Sequence, residues 1–200
     1  MEKEVVFDLV RGLKPRDHAV LFYEYVEDKY RVVFDFLKAG LDVHEATAYV
    51  AGADETPSQV RSLLEKRRID VDACEKEGML QIMSYKDSHL IDGEFNAKRT
   101  IALWAKLLSD ALAEGFKGLR VAGDATWFLK SDMKTEFLDY EKSLHRVLDV
   151  PFIAMCAYSL PVLMELNQVQ FVVDLIKAHS NVIFLGSHAG LVKADEIGVR

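Results

Sequence analysis

The sequence predicts an α/β fold: a three-layer αβα sandwich around a mainly parallel sheet of about six or more strands. Two observations predict it. Short apolar runs of strand length alternate with longer helix-periodic segments from end to end, the pattern of consecutive βαβ units. Strands joined by helical crossovers make a mainly parallel sheet covered on both faces. The 200 residues contain no internal repeat and no Pro/Gly-rich linker, so residues 1–200 read as one domain.

His18–Glu24 (His-Ala-Val-Leu-Phe-Tyr-Glu) is the first expected strand. Tyr30, Val33, Phe34, Leu37 and Leu41 follow at i, i+3, i+4, i+7 and i+11, one face of a helix. Ala46–Gly52 is the second strand. Thr56-Pro57-Ser58-Gln59 places an N-cap Thr, a Pro at the first helical position and a Gln three residues after the cap, so a helix starts there. Val60, Leu63 and Leu64 supply its inner face. Met79–Tyr85 is a third strand, and residues 95–114 are a helix with Ile101, Trp104, Ala105, Leu108, Ala111 and Leu112 on one side. Leu119–Ala125 is a strand. Met133, Phe137, Tyr140, Leu144 and Val147 make the next helical stripe, capped by Ser131 or Asp132. Phe152–Tyr158 is a strand, Val162–Ala178 a helix and Val182–Gly186 the last strand.

Composition narrows the function classes. An apolar fraction of 50% with 28% charged residues excludes intrinsic disorder. The net charge of −7, with no basic run beyond Lys66-Arg67-Arg68, argues against direct nucleic-acid binding. Two cysteines, Cys74 and Cys156, form no disulfide framework and suit a reducing compartment. No apolar stretch is long enough to span a bilayer, and the charged start Met-Glu-Lys-Glu has no signal-peptide core, so a cytoplasmic location is expected.

Ligands of such sheets sit beyond the carboxyl ends of the strands, which directs attention to Tyr23, Glu24, Asp54, Glu55, Ser84, Tyr85, Asp124, Cys156, Tyr158, Ser187 and His188. A phosphate site there needs a Gly-rich loop and a lysine. After Phe22 the chain reads Tyr-Glu-Tyr-Val-Glu-Asp-Lys-Tyr, with no glycine and three carboxylates, so ordinary nucleotide binding is not expected. Asp54, Glu55 and Asp124 could hold a hard cation such as Mg²⁺, or simply cap helices and face water. Cys156 lies in an apolar strand with no base in evident reach. The six histidines show no H-x-x-x-H spacing, which argues against zinc. Trp127, two to three residues beyond a strand ending in Gly123-Asp124, can wall an apolar pocket while its N–H meets a polar group.

Phe36-Leu37-Lys38-Ala39-Gly40-Leu41, then Glu45, Ala48-Tyr49-Val50 and Asp54-Glu55-Thr56-Pro57 resemble, in order, the first half of KaiC-type RecA-fold ATPases, with Tyr23–Tyr30 in place of the phosphate loop. His18–Glu24, Gly123-Asp124-Ala125-Thr126-Trp127, Tyr140-Glu141, Cys156-Ala157-Tyr158 and His179 together resemble the MEDS domain, the methanogen/methylotroph DcmR-type sensory domain. The resemblance covers a core of about residues 15–188. It implies a P-loop relative without the phosphate loop, a non-enzymatic sensor of a small organic molecule such as a hydrocarbon derivative. It implies no cofactor, and a signal passed to a separate DNA-binding or histidine-kinase protein. The expected ligand-binding set is Tyr23, Glu24, Asp124, Trp127, Cys156 and Tyr158. A divergent ATPase or metal-assisted hydrolase using Asp54, Glu55 and Asp124, and a ligand-free interaction module, are the alternatives; a homo-oligomer is compatible with all three.

Overall fold

All six expected strands form, and a seventh joins them. In the computed structural model, residues 2–147 and 151–193 are described. In chain order these are α1 (Glu2–Arg11), β1 (His18–Tyr23), α2 (Val26–Asp42), β2 (Ala46–Ala51), α3 (Pro57–Glu65), α4 (Val71–Lys76) and β3 (Leu80–Ser84). There follow α5 (Tyr85–His89), a two-residue hairpin of β4 (Leu90–Ile91) and β5 (Glu94–Phe95), α6 (Ala97–Ala113) and β6 (Leu119–Asp124). A 3₁₀ turn (Thr126–Lys130), α7 (Lys134–Val147), β7 (Phe152–Ser159), α8 (Leu160–Glu165), α9 (Val169–Ala178), β8 (Asn181–Leu185) and β9 (Ala189–Lys193) complete the chain.

The sheet order is β3-β2-β6-β7-β1-β8-β9, parallel except for β9, which returns antiparallel on β8. Parallel neighbours need crossovers, and the helices supply them. Side-chain parity then sorts the core into two layers. From β1, Val20 and Phe22 face the layer of Trp104, Leu108, Phe137, Leu144 and Leu175 on α6, α7 and α9. Ala19, Leu21 and Tyr23 face Val6, Val10, Val33, Phe36, Leu37 and Leu64 on α1, α2 and α3. Each large apolar side chain buried this way contributes about 1.5–3 kcal/mol, so the two layers hold the sheet between them.

The expected capping box is present: Thr56 Oγ1 accepts from the Gln59 N–H and the Gln59 side chain accepts from the Thr56 N–H. Ser131 serves the start of α7, its hydroxyl accepting from the Met133 N–H at 3.3 Å. The side chains of His145 and Val147 lie outside the described set. Two expectations need correction, and one element had not been assigned. The third strand stops at Ser84, because Ser84 and Asp87 form a second capping box and Tyr85 opens α5. The helix expected over 162–178 is two, since Asn167 takes a left-handed φ of 52° between α8 and α9. The segment before residue 15 is helical, with Val6, Val10 and Leu13 on its buried side.

Candidate functional site

At the carboxyl ends of the strands lies a crevice of about 200 Å³, walled by Tyr23, Lys29, Tyr30, Asp54, Glu55, Asp124 and Trp127 among others. Only two residues separate β1 from α2, so the backbone makes no loop there to cradle a phosphate. Lys29, in the first turn of α2, donates to Glu55 and, at 2.9 Å, to Asp124 Oδ2. Tyr23 donates to the same Asp124 oxygen at 2.6 Å, and Tyr49 donates to Glu55 at 2.9 Å. Burial alone would raise the Asp124 carboxyl; the Lys29 ammonium and the Tyr23 hydroxyl hold it below the usual carboxylate range. Burial pushes the Tyr23 and Tyr49 hydroxyls up, and the neighbouring carboxylates push them further. The ammonium of Lys29 therefore stands where a cation bound to Glu55 and Asp124 would stand, while Asp54 is exposed on the rim. Lys29 is the residue that sequence reasoning passed over: three nearby carboxylates drew the attention, and its ion pairs join elements distant in sequence.

The other expected ligand-binding residues separate. Glu24 is exposed and turned toward Ser187, whose N–H and hydroxyl both donate to it; the backbone bond holds its carboxyl below the ordinary value. Tyr158 is fully buried, its hydroxyl donating to Glu141 at 3.0 Å. Neither walls the crevice or the cavity behind it. Asp124 and Trp127 wall both.

That second cavity, about 40 Å³, lies between the sheet and the helical layer of α6 and α7. Space of this size holds about three waters, or a molecule of one or two carbons. Val121, Ala154, Trp104, Trp127 and Phe137 form much of its wall; Asp124, His89, Glu141 and Cys156 supply polar atoms. Gly123 allows β6 to pass close to β2 at its edge, where a Cβ would come within 2.8 Å of Val50 Cβ. The Trp127 ring is half-buried and stacks on Tyr85 at 4.7 Å, edge-on to Phe137. Trp104 is fixed by its Nε1–H, which donates to the Tyr140 hydroxyl at 2.7 Å. His89 touches five aromatic rings, and burial lowers its pKa to about 4.

Beneath the cavity four side chains from four elements converge. His18 opens β1, Glu141 comes from α7, Cys156 from β7, and His179 follows the last turn of α9. His18 Nε2 lies 3.1 Å from Glu141 Oε2 and 3.5 Å from Cys156 Sγ. Cys156 Sγ is 3.5 Å from Glu141 Oε2, and His179 Nε2 is 3.3 Å from the same oxygen. Burial raises the Cys156 thiol well above its ordinary pKa, and the Glu141 charge adds to this. Burial would also raise the Glu141 carboxyl, but His179 and His18 hold it far below its usual range. A base is thus within reach of Cys156, contrary to the expectation from sequence. The expectation had looked only at neighbours in the chain, whereas the sheet brings residue 18 beside residue 156. Glu141 did carry a signal: four residues after Phe137 and three before Leu144, it belongs to the apolar face of its helix.

The parallel sheet between two helical layers, with its crevice at the strand ends, places this chain among KaiC-like folds. A crystal structure of a KaiC-like protein from the hyperthermophilic archaeon Pyrococcus horikoshii superposes with a TM-score of 0.63 at 13% identity, covering 90% of this chain and 79% of that one. No curated protein sequence matches. The sequence profile of the MEDS family, the MEthanogen/methylotroph, DcmR Sensory domain, matches residues 17–179. The chain belongs to that family.

Proposed function

We propose that the chain is a non-catalytic sensory domain that takes an organic molecule of one or two carbons into the aromatic-walled cavity and passes its occupancy to a separate DNA-binding or histidine-kinase protein. Membership of a sensory family supports the role. The observation that carries the binding site is the cavity itself, apolar-walled, about 40 Å³, with Asp124, Glu141 and Cys156 as polar contacts. Its size selects a hydrocarbon derivative too small for a larger pocket to hold well. Trp127 is common to the cavity and the open crevice and so stands between the ligand and solvent. Nucleotide hydrolysis fits less well, since Lys29 is committed to Glu55 and Asp124 and no loop encircles a phosphate. A separate partner is part of this reading because the net charge of −7 disfavours DNA contact by this chain.

A thermal-shift screen of one- and two-carbon alcohols, halocarbons and carboxylates tests the reading on wild type and Trp127→Ala. At about 100 times Kd a bound compound adds about 2.7 kcal/mol of stability. One class should raise the wild-type melting temperature and leave that of the variant unmoved. Because Trp127 is only half-buried, its truncation should cost less than the about 3–5 kcal/mol of a fully buried aromatic. If no class shifts the wild type, the sensor reading fails and an interaction module takes its place; an equal shift in both proteins would remove the cavity from the account.

A further inference from the structure

We propose that His18, Glu141, Cys156 and His179 form a tetrahedral site for a divalent, borderline-soft metal ion of the Zn²⁺ class. The ligand atoms of all four lie within 4.8 Å of one another. Zinc bonds of about 2.0–2.1 Å to nitrogen or oxygen and about 2.3 Å to sulfur put tetrahedral neighbours about 3.3 Å apart, and about 3.5 Å where sulfur is one of them. The two contacts to Cys156 Sγ are both 3.5 Å, and the two imidazole contacts to Glu141 Oε2 are 3.1 and 3.3 Å. These four distances fit an ion at the centre, and His179, within 4.8 Å of the other ligand atoms, would close on it from the remaining side.

The surroundings of the four side chains are those of a metal site. His179 Nδ1 is 2.7 Å from the Leu175 carbonyl and donates to it, which leaves Nε2 as the ring's lone-pair nitrogen. That Nε2 is buried and points into the cluster, 3.3 Å from Glu141 Oε2. Metal-bound histidines are commonly held this way, by a carbonyl on the far ring nitrogen. Glu141 is held in turn by the Tyr158 hydroxyl on its other oxygen. Charge also balances. On binding, the Cys156 thiol releases its proton to solvent as the sulfur–metal bond forms. Thiolate and carboxylate then carry two negative charges against the ion's two positive ones, and the imidazoles coordinate as neutral rings. A neutral assembly suits a place where Glu141 and both imidazoles have almost no contact with water. Thiolate with two imidazoles favours zinc over magnesium or calcium, which take oxygen donors. With four protein ligands the site is closed, and because Glu141 and Cys156 also wall the cavity, the ion would sit at the cavity's base.

Co²⁺ titration of the reduced, chelator-treated protein provides the test. Binding at one equivalent should give intense visible bands of tetrahedral Co²⁺ and a near-ultraviolet thiolate-to-metal band, both abolished by Zn²⁺. Cys156→Ser should lose the thiolate band, whereas Cys74→Ser, at the other cysteine, should retain it. Tyr158→Phe, which keeps the ring and removes only the hydrogen bond to Glu141, should weaken Co²⁺ binding about 10–100-fold. No binding at one equivalent, octahedral-type weak absorption, or a thiolate band lost in Cys74→Ser would overturn the site. The small-molecule reading has its own readout, so a failure here leaves the thermal-shift result standing.

Discussion

Lys29 and Glu141 show how much a single residue decides. Each is a charged side chain withdrawn from water, and each is held by groups from other elements: Lys29 by Glu55 and Asp124, and Glu141 by His18, Cys156, Tyr158 and His179. Local motif reading recognised Asp124 and Trp127, which follow directly on a strand end, but spacing rules cannot find ligands drawn from four separate elements. The search for H-x-x-x-H could not find His18 beside His179, although their rings lie 3.9 Å apart. The resemblance to the sensory family did single out His18, Glu141, Cys156 and His179 as motif positions, without saying that they meet. His89 gives a prediction at this scale. Its folded pKa is about 4 against 6.5 for the free side chain, so between those values the unfolded chain takes up the proton first. Stability is therefore complete above about pH 6.5 and is lost as pH falls toward 4, by about 3 kcal/mol in all. Urea unfolding at pH 7 and pH 4.5 should show a steeper loss in wild type than in His89→Gln; equal losses would mean that His89 is not buried neutral.

At the scale of elements, the βα alternation was legible because periodicity and capping chemistry agreed: the apolar runs at 18–24 and 152–158 and the Thr56 box all form as read. The departures have local causes that hydrophobic patterning does not register. A helical stripe runs unbroken through Val162–Ala178, yet Asn167 turns into the left-handed region and starts a new helix. Asparagine tolerates that conformation and β-branched residues do not. Asn167→Val should cost about 1–2 kcal/mol, while Asn167→Gly should be neutral within about 0.5 kcal/mol; urea midpoints measure both. A Val substitution without cost would mean that α8 and α9 merge when allowed. Likewise, Ser84 ends a strand by capping a helix, a choice that depends on Asp87 three residues later.

For the molecule as a whole, the sheet order explains why one half of the site was readable and the other was not. Strand-end residues can be enumerated once strands are assigned, and that enumeration reached Tyr23, Asp124 and Trp127. The cavity depends instead on how α6 and α7 stand off β6 and β7, a matter of packing that no stripe of residues specifies. The antiparallel β9 and the helix α1, which close the far side of the sheet, were missed for a related reason: short segments give few periods to count. The central claim is that a small molecule enters the cavity, and the protein carries its own reporters. Its two tryptophans, Trp104 and Trp127, both wall that cavity, and Trp104 is only 2% exposed. Bromoethanol, a two-carbon heavy-atom quencher, should therefore quench wild-type fluorescence along a saturable curve. Ala154→Val, which adds two methyl groups to the cavity wall, should leave only the shallow linear quenching of a half-exposed Trp127. A linear curve of equal slope in both proteins would contradict the claim.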